Sequence, residues 1–287
     1  MSISLEKLKR LKQQAGVAAT PTSAQDTRQQ VARLRSLLRV RHAAQAPPRQ
    51  ADASQRGLPG EEIADGLRLL QTWLPWSPLP PQLDGGFAGD KALQGRAIDT
   101  GELMFFDTET TGLAGGTGTR AFMIGASDFH AGGLRVRQLL MTRMAAESDL
   151  LDTFASWLTT QTRLISYNGR CYDAPLLNTR YRLARKHSPL PALAHLDLLF
   201  PTRKRYRGVW ENCRLATIER QALGILREDD LPGSEAPAAW LGYLRGGSSE
   251  LLNRVIAHNL QDVVTLAHLL QHLARLGAPQ PLACAGM

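Results

Sequence analysis

Apolar and polar positions organise the chain after residue 100 into alternating strand and helix patterns. Residues 103–106 form an unbroken apolar run, as in a strand buried on both faces. Residues 120–129 and 134–141 read as two further strands, joined by Ala131, Gly132 and Gly133, a hairpin signal. Within 147–158, Leu150, Leu151, Phe154, Trp157 and Leu158 recur at helical spacing. A short strand follows at 164–167, a helix at 173–184 and a fifth strand at 195–199. Helices near 215–223, 236–244 and 251–276 complete the series. Three meandering strands followed by alternating helices and strands predict an α/β domain over residues 101–276, a mixed five-stranded sheet flanked by helices.

The first hundred residues read differently. Residues 1–57 are rich in Gln, Ala, Arg, Ser and Thr and predict a largely disordered tail with short helical pieces. Residues 58–100 form a lead-in packing on the domain. It holds one strand candidate at 66–74, after which Pro75, Pro78, Pro80 and Pro81 forbid regular structure. Residues 277–287 read as a C-terminal tail.

Composition narrows the class. A hydrophobic fraction of 43% with 21% charged residues is that of a globular protein, and no apolar run is long enough to span a membrane. The net charge of +8 is local: residues 1–60 hold eleven Lys or Arg against three acids, and the rest of the chain is balanced. The basic pI therefore describes a tail, which either holds phosphate non-specifically or is simply solvated. Lys7, Lys9, Arg10 and Lys12 are followed by no apolar stretch, so a secretory signal is not expected, while an organelle transit peptide stays open. Cys171, Cys213 and Cys284 are odd in number and lack zinc-site spacing. They predict reduced thiols in a cytoplasmic protein.

Three short motifs carry chemistry. Asp107-Thr108-Glu109-Thr110-Thr111-Gly112 directly follows the apolar run. Residues i and i+2 of a strand share a face, so Asp107 and Glu109 are two carboxylates side by side. Either this acidic strand end merely caps a turn, or the repulsion is relieved by a cation between them, for which hard oxygen donors select Mg²⁺ or Mn²⁺. Tyr167-Asn168-Gly169-Arg170-Cys171-Tyr172-Asp173 lies between a strand and a helix, where open α/β sheets bind ligands. Asp173 is there either a site carboxylate or a helix N-cap. In His258-Asn259-Leu260-Gln261-Asp262, His258 and Asp262 lie at i and i+4 and project together from one helix face, as site residues or as a solvated pair. His268 and His272 recur further along the same helix, so histidine spacing alone does not mark function.

Taken together and in this order, the motifs resemble the DEDD superfamily of 3′-5′ exonucleases, with a ribonuclease H-like fold. Within it the chain is similar to the bacterial YprB-like family. The carrying residues are 105–119 with the loop Gly115-Gly116-Thr117-Gly118, the block 167–173, Glu211-Asn212-Cys213-Arg214-Leu215, Asp229-Asp230-Leu231-Pro232-Gly233-Ser234-Glu235, and 258–262. The resemblance covers roughly residues 58–275. It implies that Asp107, Glu109, Asp173 and Asp262 hold two Mg²⁺ or Mn²⁺ ions. Asp107 would bridge both ions, Glu109 and Asp262 would hold the one that activates water, and Asp173 would contribute from the side. His258 would be the base, or would orient the attacking water. One departure bears on that choice. The His-bearing branch has four residues between His and Asp; here there are three, the spacing of the branch with Tyr in that place.

Arg203, Lys204, Arg205, Tyr206 and Arg207, then Trp210 and Arg214, read as a basic loop interleaved with aromatics. Such a loop suits phosphates and unpaired bases; its alternative is a solvated loop with Trp210 in the core. Asn168 is a further candidate contact to the scissile phosphate or terminal sugar. The expected partner is the 3′ end of single-stranded DNA or RNA, with no membrane and no protein partner deducible. Two other readings use the same fold: a non-catalytic nucleic-acid-binding module, and an endonuclease of ribonuclease H or resolvase type.

Overall fold

Why the chain folds as it does is clearest at residues 103–110, where four apolar residues pass without a break into the acidic motif as one strand. The structure, a computed structural model, describes residues 51–88, 93–112, 117–227 and 231–277. Its strands are β1 (Glu61–Ala64), β2 (Leu67–Pro75), β3 (Gln82–Asp84), β4 (Ala97–Asp99), β5 (Leu103–Thr110), β6 (Ala121–His130), β7 (Gly133–Met141), β8 (Arg163–Ser166) and β9 (Ala194–Asp197). The helices are α1 (Glu147–Ser156), α2 (Asp173–Leu183), α3 (Leu199–Tyr206), α4 (Leu215–Ile218), α5 (Ala236–Leu244) and α6 (Glu250–Gly277).

The main sheet has the order β1-β2-β7-β6-β5-β8-β9, and β3 pairs with β4 separately. Strands β5, β6 and β7 meander antiparallel, whereas β5–β8 and β8–β9 are parallel. Alternation divides β5 between two cores. Leu103 and Phe105 pack with Val263, Leu266 and Leu270 of α6. Met104 and Phe106 pack on the other face with Leu150 and Phe154 of α1, Leu177 and Tyr181 of α2, and Trp240 of α5. Trp240 stacks on Phe122 at 4.8 Å between ring centroids and donates its indole N–H to the Met141 carbonyl at 2.6 Å. Burying both faces explains the unbroken apolar run: neither face of this central strand meets water.

The α/β architecture expected from sequence is the one observed, but the sheet has seven strands rather than five. The two additions form a hairpin: β2, which is the strand candidate read at 66–74, is paired along its length to β7, and β1 lies outside it. Strand β1 is almost wholly exposed, so no apolar period announces it. Its signal is the turn Asp65-Gly66, with Gly66 at φ 77°, a conformation glycine adopts without strain. A second difference is α3, which takes Arg203 to Tyr206 out of the expected basic loop while residues 207–214 stay irregular; Arg and Lys are good helix formers, and Pro201 sits in the first turn where it removes no needed donor. The helix expected near 215–223 is one α turn followed by a π turn, Glu219–Leu223, closed by Gly224 at φ 68°.

Contacts to the body also reach upstream of the lead-in expected at 58–100. Arg56 donates to the carbonyls of Tyr243 at 3.1 Å and Gly247 at 2.8 Å, and its guanidinium lies 4.3 Å above the Tyr243 ring. Residues 1–50 of the expected N-terminal tail, the C-terminal tail after Gly277, Gly115 and Gly116, and Asp229 and Asp230 lie outside the described residues.

Candidate active site

The site begins where β5 outruns its parallel neighbour. Strand β8 pairs only with Leu103, Met104 and Phe105, while β6 continues alongside Asp107 and Glu109. Both carboxylates therefore project past the carboxyl end of the parallel pair, the usual ligand position in open α/β sheets. Glu109 is buried at 7% exposure and Asp107 is half-buried.

Asp173 arrives on the loop between β8 and α2. That loop is fixed by Asp197 at the end of β9, itself 1% exposed. Its carboxylate accepts the backbone N–H groups of Asn168 at 2.7 Å, Arg170 at 3.1 Å and Leu199 at 3.0 Å. Asn168 sits at φ 67°, in the left-handed region that Asn tolerates. A Cβ at Gly169 would stand 2.5 Å from Ser166 Oγ, so the loop turns only with glycine there. Asp173 is the first residue of α2 rather than its N-cap, which is Tyr172. Its Oδ1 accepts the hydroxyl of Thr108, whose side chain alternates away from Asp107 and Glu109.

Helix α6 supplies the third part. His258 Nε2 lies 4.0 Å from Glu109 Oε1 and 3.5 Å from Asp262 Oδ2, so the ring faces both carboxylates. Its Nδ1 is 3.1 Å from Arg227 Nη1. Arginine has no acceptor, so Nδ1 must accept and the proton of the neutral ring sits on Nε2. Arg227 also donates to Asp262 Oδ1, and to Glu219 at 2.5 and 2.8 Å. Glu219 is wholly buried in the π turn and accepts a further bond from Thr265 Oγ1 at 2.5 Å.

Four carboxylates thus share a poorly solvated corner. Burial pushes the Asp107 carboxyl well above the usual carboxylate range, and the charges of Asp262, Asp173 and Glu109 push it further; a hydrogen bond from Asn259 works against them. Burial also raises Asp173 to about 6, opposed by the Thr108 hydroxyl. Asp262 is raised by burial, against the pull of His258 and Arg227. Such repulsion is relieved by a hard divalent cation, and an all-oxygen donor set fits Mg²⁺ or Mn²⁺. Among the described residues, no three His, Cys, Asp or Glu side chains already stand in a metal-holding arrangement. Asp173 is bonded to Thr108 and Asp262 to Arg227.

The structure brings together Asp107, Glu109, His258 and Asp262 directly, and Asp173 through Thr108. Asn168 lies on the Asp197-held loop. The basic group stands on another element. Arg203, Lys204 and Arg205 are exposed on α3, and Arg207 and Arg214 are exposed beyond it. Tyr206 stacks on Trp210 at 4.4 Å and bonds through its hydroxyl to His272 Nε2 at 2.6 Å; both aromatics pack on the α6 core. His268 is likewise occupied, its ring tilted against Trp76 at 4.3 Å between centroids.

Sequence reasoning missed Thr108, Gln138, Asp197, Glu219, Arg227 and Asn259. Thr108 and Asn259 sit inside the quoted motifs. Asp197 closes a strand, as Asp107 follows the apolar run, so a rule on acidic strand ends would have found it. Nothing local marks Gln138, Glu219 or Arg227.

A mixed α/β sheet with clustered carboxylates beyond its parallel strand ends defines a ribonuclease H-like domain. The chain belongs to the RNase_H superfamily: a model of its RNase_H_2 family matches residues 104–274. It is 35% identical over 184 residues to the uncharacterized protein YprB of Bacillus subtilis (strain 168), a match covering 64% of this chain. The chain spans 44% of that relative's length. Among solved structures it is similar to the family B DNA polymerase of the hyperthermophilic archaeon Pyrobaculum calidifontis, at TM-score 0.45 and 14% identity over 60% of this chain and 24% of that one. Exonuclease I with bound product gives TM-score 0.37 and 17% identity over 54% of this chain and 46% of the other. The YprB-like, ribonuclease H-like resemblance read from the sequence is borne out.

Proposed function

We propose that the chain is a hydrolase, a metal-dependent 3′-5′ exonuclease of the DEDD type that shortens single-stranded DNA or RNA. The observation that supports this best is the mutual destabilisation of four carboxylates, Asp107 above all, in a corner that a divalent cation would relieve. Asp107, Glu109, Asp173 and Asp262 would hold two Mg²⁺ or Mn²⁺ ions. When bound, these ions would supply an activated water and charge stabilisation for the leaving oxygen.

The chain's own groups do the rest. His258, with its proton on Nε2 facing Glu109 and Asp262, donates a hydrogen bond that orients the attacking water. This favours the orienting role over the general base and agrees with a three-residue spacing otherwise held by Tyr. Asn168 and Arg170, on the loop held by Asp197, stand where the terminal sugar and scissile phosphate arrive. The exposed cations of α3 guide the rest of the strand by its phosphates, whereas Tyr206 and Trp210 serve the fold.

The test is a pair of single-stranded substrates, linear and circular, incubated with the full chain and Mn²⁺. The proposal expects the linear strand to be shortened and the circle to survive. A cut circle would mark an endonuclease, and binding of both without cleavage would mark a nucleic-acid-binding module.

A further inference from the structure

Asp107, Gly125 and Gln138 form one row across three strands: Asp107 pairs with Gly125 in β5–β6, and Gly125 with Gln138 in β6–β7. All three share the sheet face under α6. The middle of the row has no side chain, and the space belongs to Asn259 of α6, which is fully buried. A Cβ at position 125 would lie 2.1 Å from Asn259 Oδ1 and 2.8 Å from its Cγ, distances no side chain tolerates. Glycine at 125 is therefore the mould into which the Asn259 amide fits.

The orientation of that amide is dictated from the far end of the row. Gln138, 3% exposed, gives its Nε2 to the backbone carbonyl of Ile256 at 2.9 Å. A carbonyl can only accept, so the nitrogen of Gln138 is fixed there. The same nitrogen donates to Asn259 Oδ1 at 3.0 Å, which fixes the oxygen of Asn259. The nitrogen of Asn259 must then face Asp107, and it donates to Asp107 Oδ2 at 3.2 Å. Each step leaves one choice, so a main-chain carbonyl of α6 sets the hydrogen-bond donor on a site carboxylate.

We propose that Asn259, seated over Gly125 and oriented by Gln138, is a positioning residue for Asp107. It pins one carboxylate oxygen to the core and leaves the other presented to a divalent cation. The inference rests on the metal-dependent reading above. It also explains why a fully buried amide stands between His258 and Asp262 in the motif: α6 carries the positioning group for β5 on the same turn as its own site residues.

The test is a calorimetric titration of the full chain with Mn²⁺ alone, beside melting curves in EDTA. The proteins are wild type, Asn259→Ala, Gly125→Ala, Gln138→Met and an Asp107→Ala baseline. Partners that orient a metal ligand typically contribute roughly 10–100-fold in affinity, and a loss in that range is expected for Asn259→Ala and Gly125→Ala. Gln138→Met leaves Asn259 in place but free to flip, and a smaller loss is expected. It also carries the test if Asn259→Ala does not fold. A merely structural amide would lower the melting curve in EDTA and leave the affinity of the folded protein unchanged. Variant affinities within about twofold of wild type would overturn the positioning role. If they do so while Asp107→Ala abolishes binding, the metal site itself stands. If the wild type binds no Mn²⁺, both readings fall together.

Discussion

The guanidinium of Arg227 donates to Asp262, so the carboxylate that α6 contributes to the site is held by a cation of the protein itself. The same group carries two bonds to Glu219, which has no exposed surface. Burial alone would lower the Arg227 pKa, but the hydrogen bonds of Glu219 and the charges of Asp262 and Glu219 outweigh it and raise it. Removing one partner of a buried pair strands the other charge. Arg227→Met should therefore cost about 3–5 kcal/mol in urea unfolding with EDTA, and Arg227→Met with Glu219→Met should recover most of it. Because Arg227 and a divalent cation compete for Asp262, Mn²⁺ should stabilise the Arg227→Met variant more than the wild type.

Asp197 governs Asp173 without touching it. Three backbone N–H groups converge on its carboxylate, and two belong to the loop that delivers Asp173 to β5. Asp197→Ala strands those donors and should cost about 2–4 kcal/mol. Nuclease activity should fall more than the folded fraction does, because the loop no longer fixes the start of α2. Comparing specific activity with the fraction folded by circular dichroism separates the two effects.

Acid should pull stability in two directions between pH 4 and 6. The raised Asp173 carboxyl, about 6 against an ordinary 3.8, favours the protonated folded protein. Its contribution is fully present below 3.8 and is lost as pH rises through about 6. His195, held at about 4 against an ordinary 6.5 by burial and then Arg170, does the reverse: its contribution is present above 6.5 and lost as pH falls through about 4. Each is worth on the order of 3 kcal/mol. In EDTA, Asp173→Asn should lose more stability than wild type between pH 6 and 4, and His195→Gln should lose less. Denaturant midpoints across that range decide it.

Strand binding should separate from catalysis on α3. Arg203, Lys204 and Arg205 are exposed there, and replacing all three by Ala should weaken binding of a single-stranded oligonucleotide. It should also reduce the slope of log affinity against log salt by about 2. Mn²⁺ affinity should not move. An unchanged salt slope would place the strand on another surface.

The strands β5 to β9 and the three motifs were legible because buried strands and i, i+4 helix pairs leave local patterns. Strand β2 was legible as a candidate at 66–74, but β1 was not, because it faces solvent and carries no apolar period. The first half of the basic segment, Arg203 to Tyr206, was misread as loop because its charge pattern suits a solvated helix equally well. Within the site, the carboxylates announced themselves by spacing. The groups that hold them did not: Gln138, Glu219 and Arg227 reach the site from other elements, and only the sheet register and the turn after α4 bring them there. Asn259 stood inside the quoted motif, but its role depends on the empty place at Gly125, which no local pattern reveals.

The most direct measurement is a time course on 5′-labelled single-stranded DNA and RNA with Mn²⁺ or EDTA, comparing wild type with Asp107→Ala. The account predicts a ladder shortening from the 3′ end, absent in EDTA and absent in the variant. Equal cleavage by wild type and Asp107→Ala, or intact strands in every lane, would contradict it.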